Sequence, residues 1–536
     1  MAGDRYDVIV IGSGPGGGAV VARLAQTGKR ILVIERGGYV PREHENWDAA
    51  EVFEKARYQV RETWLDQDGN TFAPGLHRFV GGNSKVYGAV LLRLRESDFG
   101  TVRHVDGDTP GWPISYADLE PWYGEAERLY RVRGARGEDP TEPWASTPYD
   151  HEPVRHEPRI AQLAADLEAE GHRPFHLPVG VLLDQDAEGD ALPHSPCIRC
   201  DRFDGYPCLT NGKSDAQVIS IDPTLAAHPN VTLMTHTDAE RLLTDPGGGT
   251  LTRVRVRGDI VDDDPTTGQP DTLHADVVVV ACGALSSALL MLRSKSAAHP
   301  DGLGNRSGLV GRRYMSHNNA VVLAISHTPN PTRFQKTLGL NDFYHAPAAG
   351  GMQDWDYPLG HIQMVGKSDG AQIAGDVVPA ALQVLAPDAP FDWLARHSLD
   401  FWLTSEDLPL PGNRIRYEGG RVRLDLTPTN MEAHHRLREE LRLVGRAGAH
   451  PHLMDRSLYL GSNVPIGGTA HQAGTMVFGE DPANSVLDLD CKVHGIDNLY
   501  VADASFFPSI GAVNPTLTIV ANALRVADGI SRRITA

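Results

Sequence analysis

The sequence predicts an α/β protein: a Rossmann-type nucleotide-binding unit with a parallel sheet, joined to an α+β unit with helices on an antiparallel sheet. Three observations predict it. Residues 8–11 (Val-Ile-Val-Ile) form a continuous apolar run, followed by a glycine-rich turn, a helical stretch at 19–25 and a second apolar run at 31–34. Apolar residues on both faces are what a buried parallel strand requires. Further runs of this kind stand far away, at 276–280 before Gly283 and a helix at 285–293, and at 498–503 before a final helix at 515–528. Residues 230–233 add another strand. Residues 313–460, by contrast, carry alternating segments at 320–325 and 421–426, the pattern of an antiparallel sheet with one solvated face.

The first forty residues carry the most chemistry. Gly12-Ser13-Gly14-Pro15-Gly16-Gly17 fits G-x-G-x-x-G between strand and helix, with Glu35 18 residues past Gly17 at the end of the next strand. Gly12 permits the tight turn, Gly14 lets a pyrophosphate approach the backbone, and Gly17 lets the helix pack on the strand. The helix N-terminus offers free N–H groups and the positive end of its dipole to an anion. Glu35 is placed to accept from ribose hydroxyls. The expected ligand is a dinucleotide, and only one, because no second unit of this kind follows. The segments 244–249 and 262–265 read as solvated hairpin turns without a functional role.

The formal net charge is 50 − 69 = −19 over 536 residues. That argues against nucleic acid or an anionic membrane as partner, since both require a basic footprint. No apolar run approaches the ~18–20 residues of a membrane span. Asp4 and Arg5 lead straight into a run too short for a secretory leader, so the expected location is cytoplasmic. Five cysteines do not make a disulfide scaffold. Three of them, Cys197, Cys200 and Cys208, cluster near His194, and the spacing admits a metal or cluster loop, a disulfide or reduced thiols in a structural loop. With no fourth cysteine, the sequence assigns no metal site. Cys282 and Cys491 read as small core residues.

Several further segments, taken together, resemble the glucose–methanol–choline (GMC) flavin oxidoreductases over nearly the whole length. They are Val80-Gly81-Gly82-Asn83-Ser84, Gly283-Ala284-Leu285-Ser286-Ser287, Val310-Gly311-Arg312 leading to His317, Asn413-Arg414-Ile415, His471-Gln472-Ala473-Gly474-Thr475 and Asn514-Pro515-Thr516-Leu517-Thr518. The C-terminal motifs are most similar to pyranose-oxidase and choline-oxidase type members. The resemblance implies FAD, with Gly12, Gly14 and Gly17 at the pyrophosphate and Glu35 on the adenosine ribose. It places the Ala239 backbone at the adenine, Gly81, Gly82, Asn83 and Ser84 over the flavin, Asp503 at the pyrophosphate–ribityl region, and Asn514, Pro515 and Thr516 at the isoalloxazine edge. It implies an FAD-binding domain of residues 1–155, 222–312 and 462–536, and a substrate-binding domain of residues 156–221 and 313–461. Choline and pyranose oxidases carry a flavin-linked histidine where this chain has Val86, so the FAD is expected to be non-covalent. The next position is Tyr87, which departs from the usual Asn or His.

The activity so implied is oxidation of an alcohol CH–OH group. His471 is the expected base and Asn514 the group that orients the substrate oxygen, because an amide donates to a developing alkoxide without competing for its proton. His317 is expected to support packing. The substrate is a small molecule, expected to be a sugar, glycoside or polyol, and the electron acceptor is oxygen or a quinone-type carrier. Trp355, Trp393 and Trp402 are candidate stacking partners for a sugar ring, with core packing as the simpler reading. The alternatives are an aminoglycoside or other amino-alcohol substrate, or a redox-inactive FAD protein resembling a hydroxynitrile lyase. A disulfide flavoreductase would require a second G-x-G-x-x-G, which the chain lacks.

Overall fold

The structure, a computed structural model, describes residues 5–346, 354–377, 388–447, 452–456 and 471–536. Strand Arg5–Ile11 pairs in parallel with Ile31–Ile34 on one side and with the long strand Gln269–Val280 on the other. Val231–Met234 extends the sheet beyond Ile31–Ile34, and Leu499–Val501 adds to Gln269–Val280, both in parallel. Val8–Val10 and Val278–Val280 are fully buried, as their uninterrupted apolar character requires. Full burial of each such side chain contributes about 1.5–3 kcal/mol. The first half of Gln269–Val280 turns outward and pairs antiparallel with Leu251–Gly258, which pairs with Asp238–Thr244. The turn at 244–249 closes that hairpin.

Helix Pro15–Leu24 starts at Pro15 and is followed by a short 3₁₀ turn that stops at Gly28, whose φ of 71° is the left-handed conformation glycine takes at helix ends. It packs on the C-terminal helix Thr516–Thr535, which in turn packs on Tyr116–Leu129. Leu517, Val520, Ala521, Leu524, Ala527 and Ile530 form the buried stripe of the C-terminal helix, at helical spacing.

The alternating segments belong to two sheets rather than one. Arg414–Glu418 and Arg421–Asp425 join Gln472–Thr475, Arg312–Ser316, Trp64–Leu65 and Thr71–Phe72. Asn318–Ile325 lies instead in a sheet with Ser398–Ser405, His361–Met364, Leu338–Leu340, Pro174–His176 and His452–Arg456. The chain passes from one sheet to the other at His317, between Arg312–Ser316 and Asn318–Ile325. Helix Ala284–Arg293 packs against Asp238–Thr244 of the first sheet and against Arg414–Glu418 and Gln472–Thr475 of the second. The 461/462 domain boundary expected from the sequence lies outside the described residues, as do Gly468, Thr469 and Ala470.

Candidate active site

A cavity of about 400 Å³ runs from the glycine-rich loop of the first sheet to His471 and the third sheet. Three helices begin on its wall: Pro15–Leu24, Ala284–Arg293 and Thr516–Thr535. Each turns unsatisfied backbone N–H groups towards the cavity end of its dipole, which suits a pyrophosphate without a basic patch.

The glycines divide by what they touch. A Cβ on Gly12 would stand 2.4 Å from the Ala281 carbonyl oxygen, and the residue has φ +101°, so the turn requires glycine. On Gly17 a Cβ would meet the Gly12 oxygen at 2.0 Å, and on Gly16 the Ala502 oxygen at 1.8 Å. Gly16 is therefore a second helix-packing glycine. Gly14 differs: nothing lies within 4 Å of its Cβ position, and the residue lines the cavity. Its missing side chain leaves room for a ligand rather than for protein. Gly82 comes within contact of it, a Cβ there lying 3.3 Å from the Gly14 Cα. Gly81 and Gly17 stand behind the wall, with the Gly81 N–H donating to Ser13 Oγ at 3.1 Å.

At one end Glu35 accepts from the Ser13 N–H at 3.1 Å, from Ser13 Oγ at 2.6 Å and from the Gly37 N–H at 3.0 Å. Burial nevertheless raises its carboxyl above the usual range, the donors only partly opposing it. Ala239 lines the same end. Arg36 and Arg78 also line it, and both bond to Asp263, at 2.8 and 2.9 Å. The 262–265 turn thus carries an anchoring carboxylate, which its sequence gave no sign of.

In the middle, Asp503 accepts from the Gly283 N–H at 3.0 Å and the Ser505 N–H at 2.9 Å, as well as from both serine hydroxyls of Ser287 and Ser505. Asn83 lines the cavity while its amide holds the preceding segment, accepting from the His77 N–H at 2.9 Å and donating to the Gly75 carbonyl at 3.1 Å. Ser84 Oγ donates to Gly81 O at 2.6 Å. Val86 and Tyr87 line the wall, and the Tyr87 hydroxyl is committed to the Ser214 carbonyl at 2.5 Å.

At the other end the second sheet explains how distant residues meet. Ser316 pairs with Gln472, so His317 and His471 emerge side by side. His317 Nε2 lies 2.8 Å from the Gly511 carbonyl, which can only accept, so Nε2 carries the proton. Burial pushes the His317 imidazole down to about 4, so it is neutral near pH 7 and its Nδ1 is bare. That nitrogen lies 2.9 Å from His471 Nδ1, which must therefore be the donor. Burial, with the Lys336 ammonium adding to it, holds His471 well below the ordinary imidazole range. His471 Nε2 is consequently unprotonated, 3.5 Å from the Asn514 amide nitrogen. Asn514 Oδ1 is buried without a partner. The pair presents one bare nitrogen and one amide to the cavity, an arrangement able to accept a proton and to donate to the oxygen that loses it.

Trp402 stands next to His471, ring centroids 6.4 Å apart, with its Nε1 donating to Asn319 Oδ1 at 3.0 Å. It pairs across the strands with Gln363, which also lines the cavity. Trp355 instead packs in the core under the Arg436 guanidinium, and Trp393 stacks on His397 at the surface. The site further includes Lys336 and Asp204, which no sequence pattern marked. Among the described residues, no group of three or more His, Cys, Asp or Glu side chains is placed to hold a metal ion, and Cys197, Cys200 and Cys208 are free thiols.

The residues fit FAD on these observations: the open face of Gly14, the helix ends, the orphaned Asn514 oxygen and a cavity that continues from the dinucleotide loop to His471. Comparison with known proteins agrees. GMC oxidoreductase family models match residues 15–319 and 446–523. The 6'''-hydroxyparomomycin C oxidase of Streptomyces lividus is 32% identical, over 99% of this chain and 92% of its own. Paromamine 6'-oxidase of Streptomyces fradiae is 30% identical over 98% and 91%, and 2-methyl-1,2-propanediol dehydrogenase of Mycolicibacterium austroafricanum 29% over 99% and 96%. Pyridoxine 4-oxidase from Mesorbium loti has the same fold, with a TM-score of 0.64 at 17% identity over 98% of this chain and 99% of its own. Aspergillus oryzae formate oxidase does so at 0.65 and 16%, over 99% of both chains.

Proposed function

This chain belongs to the GMC oxidoreductase family, is an FAD-dependent oxidoreductase acting on CH–OH groups, and on that premise we propose that His471 and Asn514 perform the oxidation of a sugar, glycoside or polyol. The observation that carries the proposal is the bare Nε2 of His471 beside the Asn514 amide at the cavity wall. His471 Nε2 takes the hydroxyl proton of the substrate. Asn514 Nδ2 donates to the oxygen as negative charge develops on it, and Trp402 and Gln363 bound the space for the rest of the molecule. The bound cofactor supplies the acceptor for the hydride leaving the carbinol carbon. Gly12, Gly14, Gly82, Glu35, Ala239, Asp503, Pro515 and Thr516 would hold it, without a covalent bond through Val86, whose side chain has no nucleophile. The electron acceptor would be oxygen or a quinone-type carrier. Residues 1–155, 222–312 and 462–536 serve as the FAD-binding domain, and residues 156–221 and 313–461 as the substrate-binding domain. The likeness to the two Streptomyces oxidases favours, as the second reading, an aminoglycoside or other amino-alcohol substrate.

Acid precipitation of the holoenzyme should leave the yellow colour in the supernatant. Anaerobic mixing with pyranoses, glycosides, aminoglycosides and simple polyols should then bleach the FAD absorbance with at least one of the polyhydroxylated compounds. Colour in the acid pellet contradicts the non-covalent cofactor, and absence of bleaching by every compound contradicts alcohol oxidation.

A further inference from the structure

Lys336 has a side chain only 3% exposed, on the wall of the cavity that holds His471. An ammonium has three N–H donors and no acceptor. Lys336 spends one on Asp204 Oδ1, and no other described residue accepts from it. Lys213, also buried, is the contrast: its three donors are met by the carbonyls of Tyr87 and Phe203 at 2.8 Å each and of Tyr206 at 3.1 Å. A buried ammonium with two unmet donors is costly unless a ligand supplies the acceptors.

The surroundings hold the pair in place. Lys213 ties the 203–206 turn to Tyr87, and the Gly205 N–H donates to the Val86 carbonyl at 2.8 Å. Asp204 Oδ2 accepts from the Gly366 N–H at 2.6 Å. The ammonium and carboxylate lie over Gly88, where a Cβ would stand 2.3 Å from Lys336 Nζ and 2.0 Å from Asp204 Oδ1. Gly88 is thus small because the pair occupies its side-chain space. Asp204 stands between Cys200 and Cys208, in the loop that bears the three clustered cysteines, and lines the cavity.

We infer that Lys336, held by Asp204, is a specificity-determining residue that donates to an oxygen on the carbon next to the one oxidised. Resting on the alcohol-oxidation reading, this narrows the substrate class to alcohols with a neighbouring ether or hydroxyl oxygen, as in sugars and vicinal diols. It also excludes an ammonium from that one position, since two cations would share a buried site, while leaving amines elsewhere on the substrate permitted.

Three alcohols of nearly equal shape test it: 2-methyl-1,2-propanediol, neopentyl alcohol, in which a methyl replaces the tertiary hydroxyl, and the analogue with an ammonium there. Two readouts are taken on the holoenzyme: anaerobic flavin reduction and the rise in melting temperature under nitrogen, which reports binding without turnover. The diol should bind about 10- to 100-fold more tightly than neopentyl alcohol, the range of a charge-assisted hydrogen bond, and the ammonium analogue weakest of the three. Lys336→Met should abolish the preference for the diol, and Lys336→Arg should restore part of it. Equal binding of the three, no binding of any, or a preference that survives Lys336→Met overturns the inference, and the wild-type comparison stands even if a variant fails to fold. Alcohols that reduce FAD without discrimination would remove this inference alone. A diol that binds selectively without any alcohol reducing FAD would remove the oxidation reading alone.

Discussion

At His471 the placement of one proton decides what the residue can do. The Gly511 carbonyl fixes the proton of His317 on Nε2, His317 Nδ1 fixes that of His471 on Nδ1, and the nitrogen left bare is the one beside Asn514. A base must be unprotonated to work, and His471 is held well below the usual imidazole range, chiefly by burial. The acid limb of kcat/KM should therefore lie below pH 6.5, with activity persisting as pH falls to that point and lost only beneath it. Measured from pH 5 to 9, an acid limb at pH 7 or above would contradict a depressed base. His471 and Asn514 could be singled out as candidates because each sits in a local motif, and the structure brings the two side chains together. His317 could be found but not its partner, because 154 residues separate it from His471 and only the Ser316–Gln472 register joins them. Lys336 and Asp204 were illegible for a plainer reason: a lysine on an ordinary segment and an aspartate in a cysteine-rich loop carry no periodic signal.

Secondary-structure elements show where local rules suffice. The strand–helix–strand at the N-terminus was legible because apolar runs, the glycine turn and the helix stop at Gly28 all agree. The division of the alternating strands between two sheets was not, because alternation reveals a half-buried strand without naming its neighbour. The glycines at the start of helix Pro15–Leu24 give a test at this scale. Gly16→Ala drives a Cβ into the Ala502 backbone, so the cofactor-free protein should lose about 1–3 kcal/mol, the usual penalty of overpacking. Gly14→Ala only enters the cavity, so the melting of cofactor-free protein should hardly change while FAD titration shows weakened binding. Equal destabilisation of the cofactor-free protein by both substitutions would contradict the assignment of Gly14 to the ligand.

Over the whole molecule, three sheets converge on one cavity, with the dinucleotide loop at one end and the His471–Asn514 pair at the other. The net charge of −19 is compatible with an anionic cofactor because helix N-termini, not a basic surface, begin on the cavity wall beside the glycine-rich loop. The arginines near Glu35 are already paired with Glu62, Asp238 and Asp263. No helix among the described residues is long and apolar enough to cross a membrane. In the proposed reaction this cavity oxidises an alcohol with His471 as its base. Anaerobic stopped-flow reduction of bound FAD by the best substrate, in wild type and His471→Ala, tests it most directly. The variant should retain FAD and be reduced about 10²-fold more slowly or worse, the usual loss on removing a general base. Reduction of the FAD-loaded variant at a rate near that of wild type would contradict the claim.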